Sequence, residues 1–191
     1  MKTRLFTGAC LALAIAATAT PTSRAAVSVI GGGLASDCYQ AVEFRRVSPQ
    51  KSLEICNMAL SYESLSRRNR AATYVNRGIL HMREARFDRA LTDFERSLGL
   101  EPALLEAKVN LGAALYNLSR FEEALAALNE GVGAEDVNAR ATGFYNRGLT
   151  HERLGDLQSA YWDYRTALDT NPAFTDAARQ LERFTVVERQ G

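Results

Sequence analysis

Glycine and alanine recur along this chain at a nearly fixed interval, and that interval limits the possible folds more than any other feature. One and the same step separates Gly78 from Gly112 and Ala90 from Ala124, while Gly148 and Ala160 follow after a step longer by two. The spacing from glycine to alanine is identical in every unit, and Pro102 and Pro172 stand that same spacing again beyond the alanine of their own unit. Self-similarity at a period of roughly 20–50 residues marks a stack of supersecondary units, each too small to bury its apolar face alone. With 47% hydrophobic and 24% charged residues, the 191-residue chain can fill such a core.

Three sets of residues carry a more specific pattern. The first reads Tyr74, Arg77-Gly78, His81, Ala90, Phe94, Pro102; the second Lys108, Leu111-Gly112, Leu115, Ala124, Leu128; the third Phe144, Arg147-Gly148, His151, Ala160, Tyr164, Pro172. This resembles the tetratricopeptide repeat, whose period of about 34 residues is the step from Gly78 to Gly112. The resemblance spans about residues 71–172 and implies an all-α superhelix of antiparallel helix pairs, A and B, in units near 71–104, 105–140 and 141–174. Small residues would sit where helices cross closely, and the helix B aromatic would fill the space between neighbouring units. Proline would end helix B, because it lacks an N–H and restricts the residue before it. The second unit has no closing proline; Gly131-Val132-Gly133 stands there instead and reads as a longer loop and a weak joint.

Both flanks extend the stack. Ser52, Cys56, Ala59 and Leu60 precede Ala90, Phe94, Ser97 and Leu98 at one constant offset. Residues 50–64 therefore read as a degenerate helix B and 34–46 as its helix A, a pair within 34–70. Ala178, Leu181, Phe184 and Val187 make Phe174–Glu188 an amphipathic cap within residues 174–191.

The first 25 residues differ from the rest. Lys2 and Arg4 head an uncharged run from Leu5 to Thr20, Pro21 breaks it, and Ser23-Arg24-Ala25 has the small-x-small form of a cleavage site. That is the layout of a secretory signal peptide, followed by a flexible start over 26–33 that holds Gly31-Gly32-Gly33. The run is shorter than the roughly 20 residues a membrane-spanning helix needs. Export to the periplasm, or secretion, is expected, with no membrane insertion after cleavage. Three of the 23 basic residues and none of the 22 acidic ones lie in this stretch, so the remainder carries 20 against 22, a net charge of −2. No basic face favours nucleic acid.

In an exported chain Cys38 and Cys56 are expected to pair. One lies on each helix of an antiparallel pair, which permits the Cα separation of about 4–7 Å that a disulfide requires. Two buried thiols are the alternative. A zinc site wants four ligands and no histidine is near, so no metal is expected.

No catalytic constellation emerges. His81 and His151 occupy equivalent places in two units, which points to packing. The glycine triplet lacks the Gly-Lys-Ser/Thr of a phosphate loop. The chain reads as non-enzymatic, with no cofactor.

Comparing the units exposes two further patterns. Arg77 and Arg147 are followed, at one shared spacing, by Asp93 and Asp163, whereas Leu111 is followed at that spacing by Ala127. Charge is present at both places or absent from both, so Arg–Asp pairs are expected inside units one and three. Two residues before each glycine stands Asn76, Asn110 or Asn146. The resemblance implies that helix A lines the concave side and that this row faces it, like the asparagine ladders of superhelical family members that grip extended chains. An amide offers both donor and acceptor and can pair with any peptide main chain. Arg83, Tyr116, Asn117, Tyr145 and Arg153 are expected around the row. The family's carboxylate clamp is not supported, since Val75 and Ile79 stand at its places. A purely structural role for the three asparagines, bonding a neighbouring helix, is the alternative.

The expected function is a scaffold or adaptor that binds another protein as a monomer or weakly self-associating chain. The rival is a fixed structural or regulatory subunit of an envelope assembly or secretion complex.

Overall fold

The computed structural model describes residues 19–22 and 25–184. Residues 1–18, which hold most of the expected leader, residues 23–24 of the expected cleavage site, and residues 185–191, which end the expected cap, lie outside them. Among the described residues there are nine α-helices and no strand. They are α1 Leu34–Phe44, α2 Pro49–Tyr62, α3 Arg67–Arg83, α4 Phe87–Leu100, α5 Leu105–Asn117, α6 Phe121–Gly131, α7 Val137–Arg153, α8 Leu157–Thr170 and α9 Thr175–Leu181. Helices α3–α4, α5–α6 and α7–α8 are the A–B pairs of units one to three, α1–α2 is the degenerate pair, and α9 packs on α8. The A helices α1, α3, α5 and α7 contact one another in order and form the inner layer.

Local chemistry sets the helix starts. Ser48 caps α2 by accepting from the Lys51 N–H at 3.3 Å, with Pro49 at the first helical position. Ser66 caps α3, Asp136 caps α7 and Asp156 caps α8 in the same way. Helix α1 has no cap of its own; Glu63, from beyond α2, accepts from the Ala35 N–H at 2.8 Å. Each A–B turn of the three units places one residue in the left-handed region, at Ala85, Ser119 and Gly155.

The repeat glycines exist for close approach. A Cβ on Gly78 would lie 2.4 Å from the Phe94 ring, one on Gly112 would lie 2.4 Å from Leu128, and one on Gly148 would lie 2.7 Å from Tyr164. The large helix B residue thus fills the space against its own unit's glycine, and Phe94 shares one core cluster with Ala107, Ala113 and Ala114 of the next unit. Ala90, Ala124 and Ala160 are fully buried. Pro102 and Pro172 fall two residues after α4 and α8 end.

The Gly131–Gly133 stretch leads into a loop of several residues before α7, as the sequence suggests. A Cβ on Gly131 would meet Val109 Cγ2 at 2.8 Å and the Val109 backbone nitrogen at 2.9 Å. Glycine is needed there because the end of α6 rests on α5; Gly131 and Ala134 are buried, while Gly133 and residues 135–138 are exposed.

Cys38 on α1 and Cys56 on α2 form a disulfide with a Cα separation of 4.8 Å. It cross-links the pair that the repeat pattern specifies least.

Phe174 and Ala177 are buried against Tyr145 and Tyr164, with Leu181 and Phe184 packed alongside. The C-terminal segment therefore covers the apolar face that the last repeat would otherwise expose. Among the described residues its helical part is Thr175–Leu181.

Candidate functional site

Arg77 and Asp93 make a two-point ion pair at 2.8 and 2.6 Å, and Arg147 and Asp163 repeat it at 2.8 and 2.7 Å. The planar guanidinium fork matches a carboxylate in this way. A third partner comes from the preceding B helix: Arg77 Nη1 donates to Asn57 at 2.9 Å, and Arg147 Nη1 to Asn129 at 3.2 Å. The clasp therefore joins units one and three to the helix B before each of them.

His81 and His151 lie beside these carboxylates, with Nε2 at 3.9 Å from Asp93 and 3.8 Å from Asp163. Those distances are too long for hydrogen bonds. Burial lowers the His81 pKa below its ordinary value, opposed by the Asp93 charge and reinforced by Arg77. Burial first, then the Glu152 carboxylate, raises the Tyr164 phenol; its hydroxyl donates to Glu152 at 2.5 Å.

The inner layer holds the feature with the most functional content. Asn76, Asn110 and Asn146 sit at the same register on α3, α5 and α7, and all three are fully buried. What covers them is the chain's own N-terminal segment. Asn146 Oδ1 accepts from the Thr22 N–H and its Nδ2 donates to the Thr22 carbonyl, both at 2.9 Å. Asn76 does the same to Val27, at 3.0 and 2.9 Å. Asn110 Nδ2 donates to the Ala25 carbonyl at 3.0 Å. Asn69, in the first turn of α3, adds a fourth contact by bonding both main-chain groups of Ile30 at 3.2 and 2.8 Å. The segment runs against the repeat order, with its earlier residues on unit three and its later ones on unit one.

Asn69 was not visible from sequence. It lies two helical turns before Asn76 and so shares its face, but the other units carry no asparagine at that register.

The surrounding candidates divide. Arg83 and Asn117 line a cavity of 310 Å³ together with Thr20, Pro21, Thr22 and Arg45. Arg83 donates to the Val42 carbonyl at 2.9 Å, and burial with the nearby Arg45 charge lowers its pKa to about 10. Asn117 donates to the Ala113 carbonyl at 2.8 Å. Tyr116 and Arg153 gather instead around Phe121: the rings of Tyr116 and Phe121 meet edge-on at 5.4 Å, and the Arg153 guanidinium sits 4.8 Å over the Phe121 ring. Tyr145 is a correction. With the segment in place it is 3% exposed, and its ring packs 5.8 Å from Tyr164 and 5.4 Å from Phe174 in the core. Adjacent helix residues point about 100° apart, so the neighbour of a groove asparagine turns toward helix B.

Among the described residues, no group of three or more His, Cys, Asp or Glu side chains is placed to hold a metal ion. No described helix is long and apolar enough to cross a membrane.

Stacked antiparallel helix pairs with an inner A layer and an outer B layer define the class, a helical-repeat solenoid. Comparison with known proteins makes this more specific. Residues 71–104 and 141–174 match the tetratricopeptide repeat. The fold is similar to MamA from Desulfovibrio magneticus RS-1, with a TM-score of 0.60 and 23% identity over 78% of this chain and 82% of that one. It is similar to YrrB, described as a tetratricopeptide-repeat protein with an unusual peptide-binding site, with a TM-score of 0.60 and 18% identity over 77% and 71% of the two chains. The second repeat domain of human RPAP3, solved with an HSP70 peptide, gives 0.55 and 22% identity over 62% of this chain and 97% of that one. No curated protein matches. Residues 71–104 and 141–174 are thus tetratricopeptide repeats, and the fold around them is the all-α superhelix of such repeats.

Proposed function

We propose that this protein is a non-enzymatic scaffold or adaptor that holds an extended segment of another protein in its concave groove. The observation that carries the reading is the two-point pairing of Asn76 and Asn146 with main-chain N–H and carbonyl groups. Such contacts are indifferent to side chains and suit a strand rather than a helix, whose main-chain groups are already used. The peptide-bound likeness of RPAP3 and the peptide site reported for YrrB support the same use of the fold. Arg83 and Asn117 would meet side chains of the bound segment; Tyr116 and Arg153 would meet it at the groove's edge.

The site of action we assign is the periplasm or the exterior. The Cys38–Cys56 disulfide suits an oxidising compartment, and the basic head, apolar run and small-residue site of residues 1–25 suit export. A fixed envelope subunit is the less favoured reading. Its permanent interface would call for a contiguous apolar face, whereas the groove holds a row of polar amides.

The experiment is capture from envelope extract by the wild type and by the Asn76→Ala, Asn110→Ala, Asn146→Ala triple variant. Loss of a partner by the variant, with its melting temperature kept, is expected. Unchanged capture would move the binding surface off the groove.

A further inference from the structure

We infer that the segment ending in Thr22, Ala25 and Val27 is an internal occupant that keeps the groove closed in the unprocessed chain, and that processing after Ala25 opens it to a partner strand of the same chemistry. This rests on the groove and export readings above.

The bonds divide at the expected cut. Thr22 on Asn146 and Ala25 on Asn110 lie before it; Val27 on Asn76 and Ile30 on Asn69 lie after it. Cleavage therefore frees units two and three and leaves a short tethered strand on unit one. Every described helix begins at or after Leu34, so the stack itself is untouched.

The occupant also describes its replacement. At the position of Ala25, Leu105, Ala134 and Ala139 close around the side chain, leaving it 3% exposed, so only a small residue fits. Pro21 is buried and has no main-chain donor to satisfy, so proline is admitted one residue before the Asn146 contact. The partner is thus an extended segment with a small residue three positions after an Asn146-bound one, running from unit three toward unit one.

Geometry makes the closed state strong. Gly31 and Gly33 adopt φ of +103° and +94°, values that L side chains rarely adopt, and so turn the chain from groove into α1. A strand held by so short a tether has an effective concentration of about millimolar, which a free strand at micromolar concentration cannot match.

The test uses a fluorescein-labelled peptide of residues 19–30, the full chain and the chain beginning at Ala26, both with Cys38–Cys56 oxidised. At least tenfold tighter binding to the chain beginning at Ala26 is expected, with loss of binding in its Asn110→Ala, Asn146→Ala variant at unchanged melting temperature. Ala25→Trp in the full chain, which changes no helix, should raise its affinity toward that of the processed form. Equal binding to both forms overturns the internal occupant and leaves the groove reading intact. Binding that the asparagine changes do not alter overturns the groove reading and this inference with it. No binding to either form shows that the segment is not a groove ligand and overturns the inference alone. A full-chain dimer that becomes monomer on processing would put the segment in a second copy's groove and overturn the intramolecular version.

Discussion

Units one and three each hold an arginine–aspartate pair between their own two helices, with an asparagine of the preceding helix B attached to the arginine, and unit two has neither. Where the first has Asn57, Arg77 and Asp93 and the third has Asn129, Arg147 and Asp163, the second has Glu95, Leu111 and Ala127 at the same registers, and Leu111 packs against the core. The glycine-to-large-residue contact is kept in all three, with Phe94, Leu128 and Tyr164 serving equally. The seam therefore has two workable solutions, as expected if a buried ion pair adds little over a well-packed apolar pair. The groove face admits no such exchange: asparagine stands at that register in every unit. A position free to vary for packing yet constant in residue type points to a demand that packing does not make.

That contrast can be broken first at its shared element. Phe94→Ala leaves the space beside Gly78 empty and should cost about 3–5 kcal/mol; urea unfolding measures it, and a cost below about 1 kcal/mol would remove the glycine–aromatic contact from the account. The seam comes next. Arg77→Leu strands Asp93, whose side chain is 3% exposed, and should cost about 3 kcal/mol, while Arg77→Leu with Asp93→Ala copies unit two and should recover much of it. Simple addition of the two single changes would mean that the clasp carries no coupling. Cys38→Ser with Cys56→Ser should cost roughly 3 kcal/mol by the chain-entropy argument for so short a loop; thermal melts with and without reductant report it.

The smallest effect concerns protons. Burial holds the folded-state His81 pKa below its ordinary 6.5. The unfolded chain then binds the proton more readily, so stability is full above pH 6.5 and declines as pH falls through that value toward the folded pKa. His81→Gln should flatten unfolding free energy between about pH 7 and 5 relative to the wild type. A wild type with no slope there would mean that the histidine is solvated.

Most of this architecture was legible because repeats multiply weak signals. One arginine at a given spacing from one aspartate says little, but the same spacing twice, with both charges missing from unit two, identifies the clasp. The cysteine pairing follows from placing each residue on one of two antiparallel helices. What escaped had no second copy to compare, or ignored the turn of a helix. Asn69 has no equivalent in the other units, and Tyr145 adjoins Asn146 in sequence but is carried by that turn toward helix B. Asn57 and Asn129 had a signal, since they precede their arginines at similar separations, 20 and 18. The occupied groove was hidden for a different reason. Residues 1–25 read as a leader by composition, and composition carries no information about where Thr22 and Ala25 lie against a folded stack.

The central claim is that the asparagine row reads main chain rather than side chains. The most direct measurement is the affinity of the chain beginning at Ala26 for a peptide of residues 19–30 in which the Thr22 amide is replaced by an ester. The ester keeps the side chain and removes the N–H that Asn146 Oδ1 accepts. A weakening of about 1 kcal/mol, near fivefold, is expected, and Asn146→Ala should make the amide and ester peptides bind alike. Equal affinity of the two peptides for the wild-type groove would contradict the claim, as would a larger loss from Thr22→Ala in the peptide than from the ester.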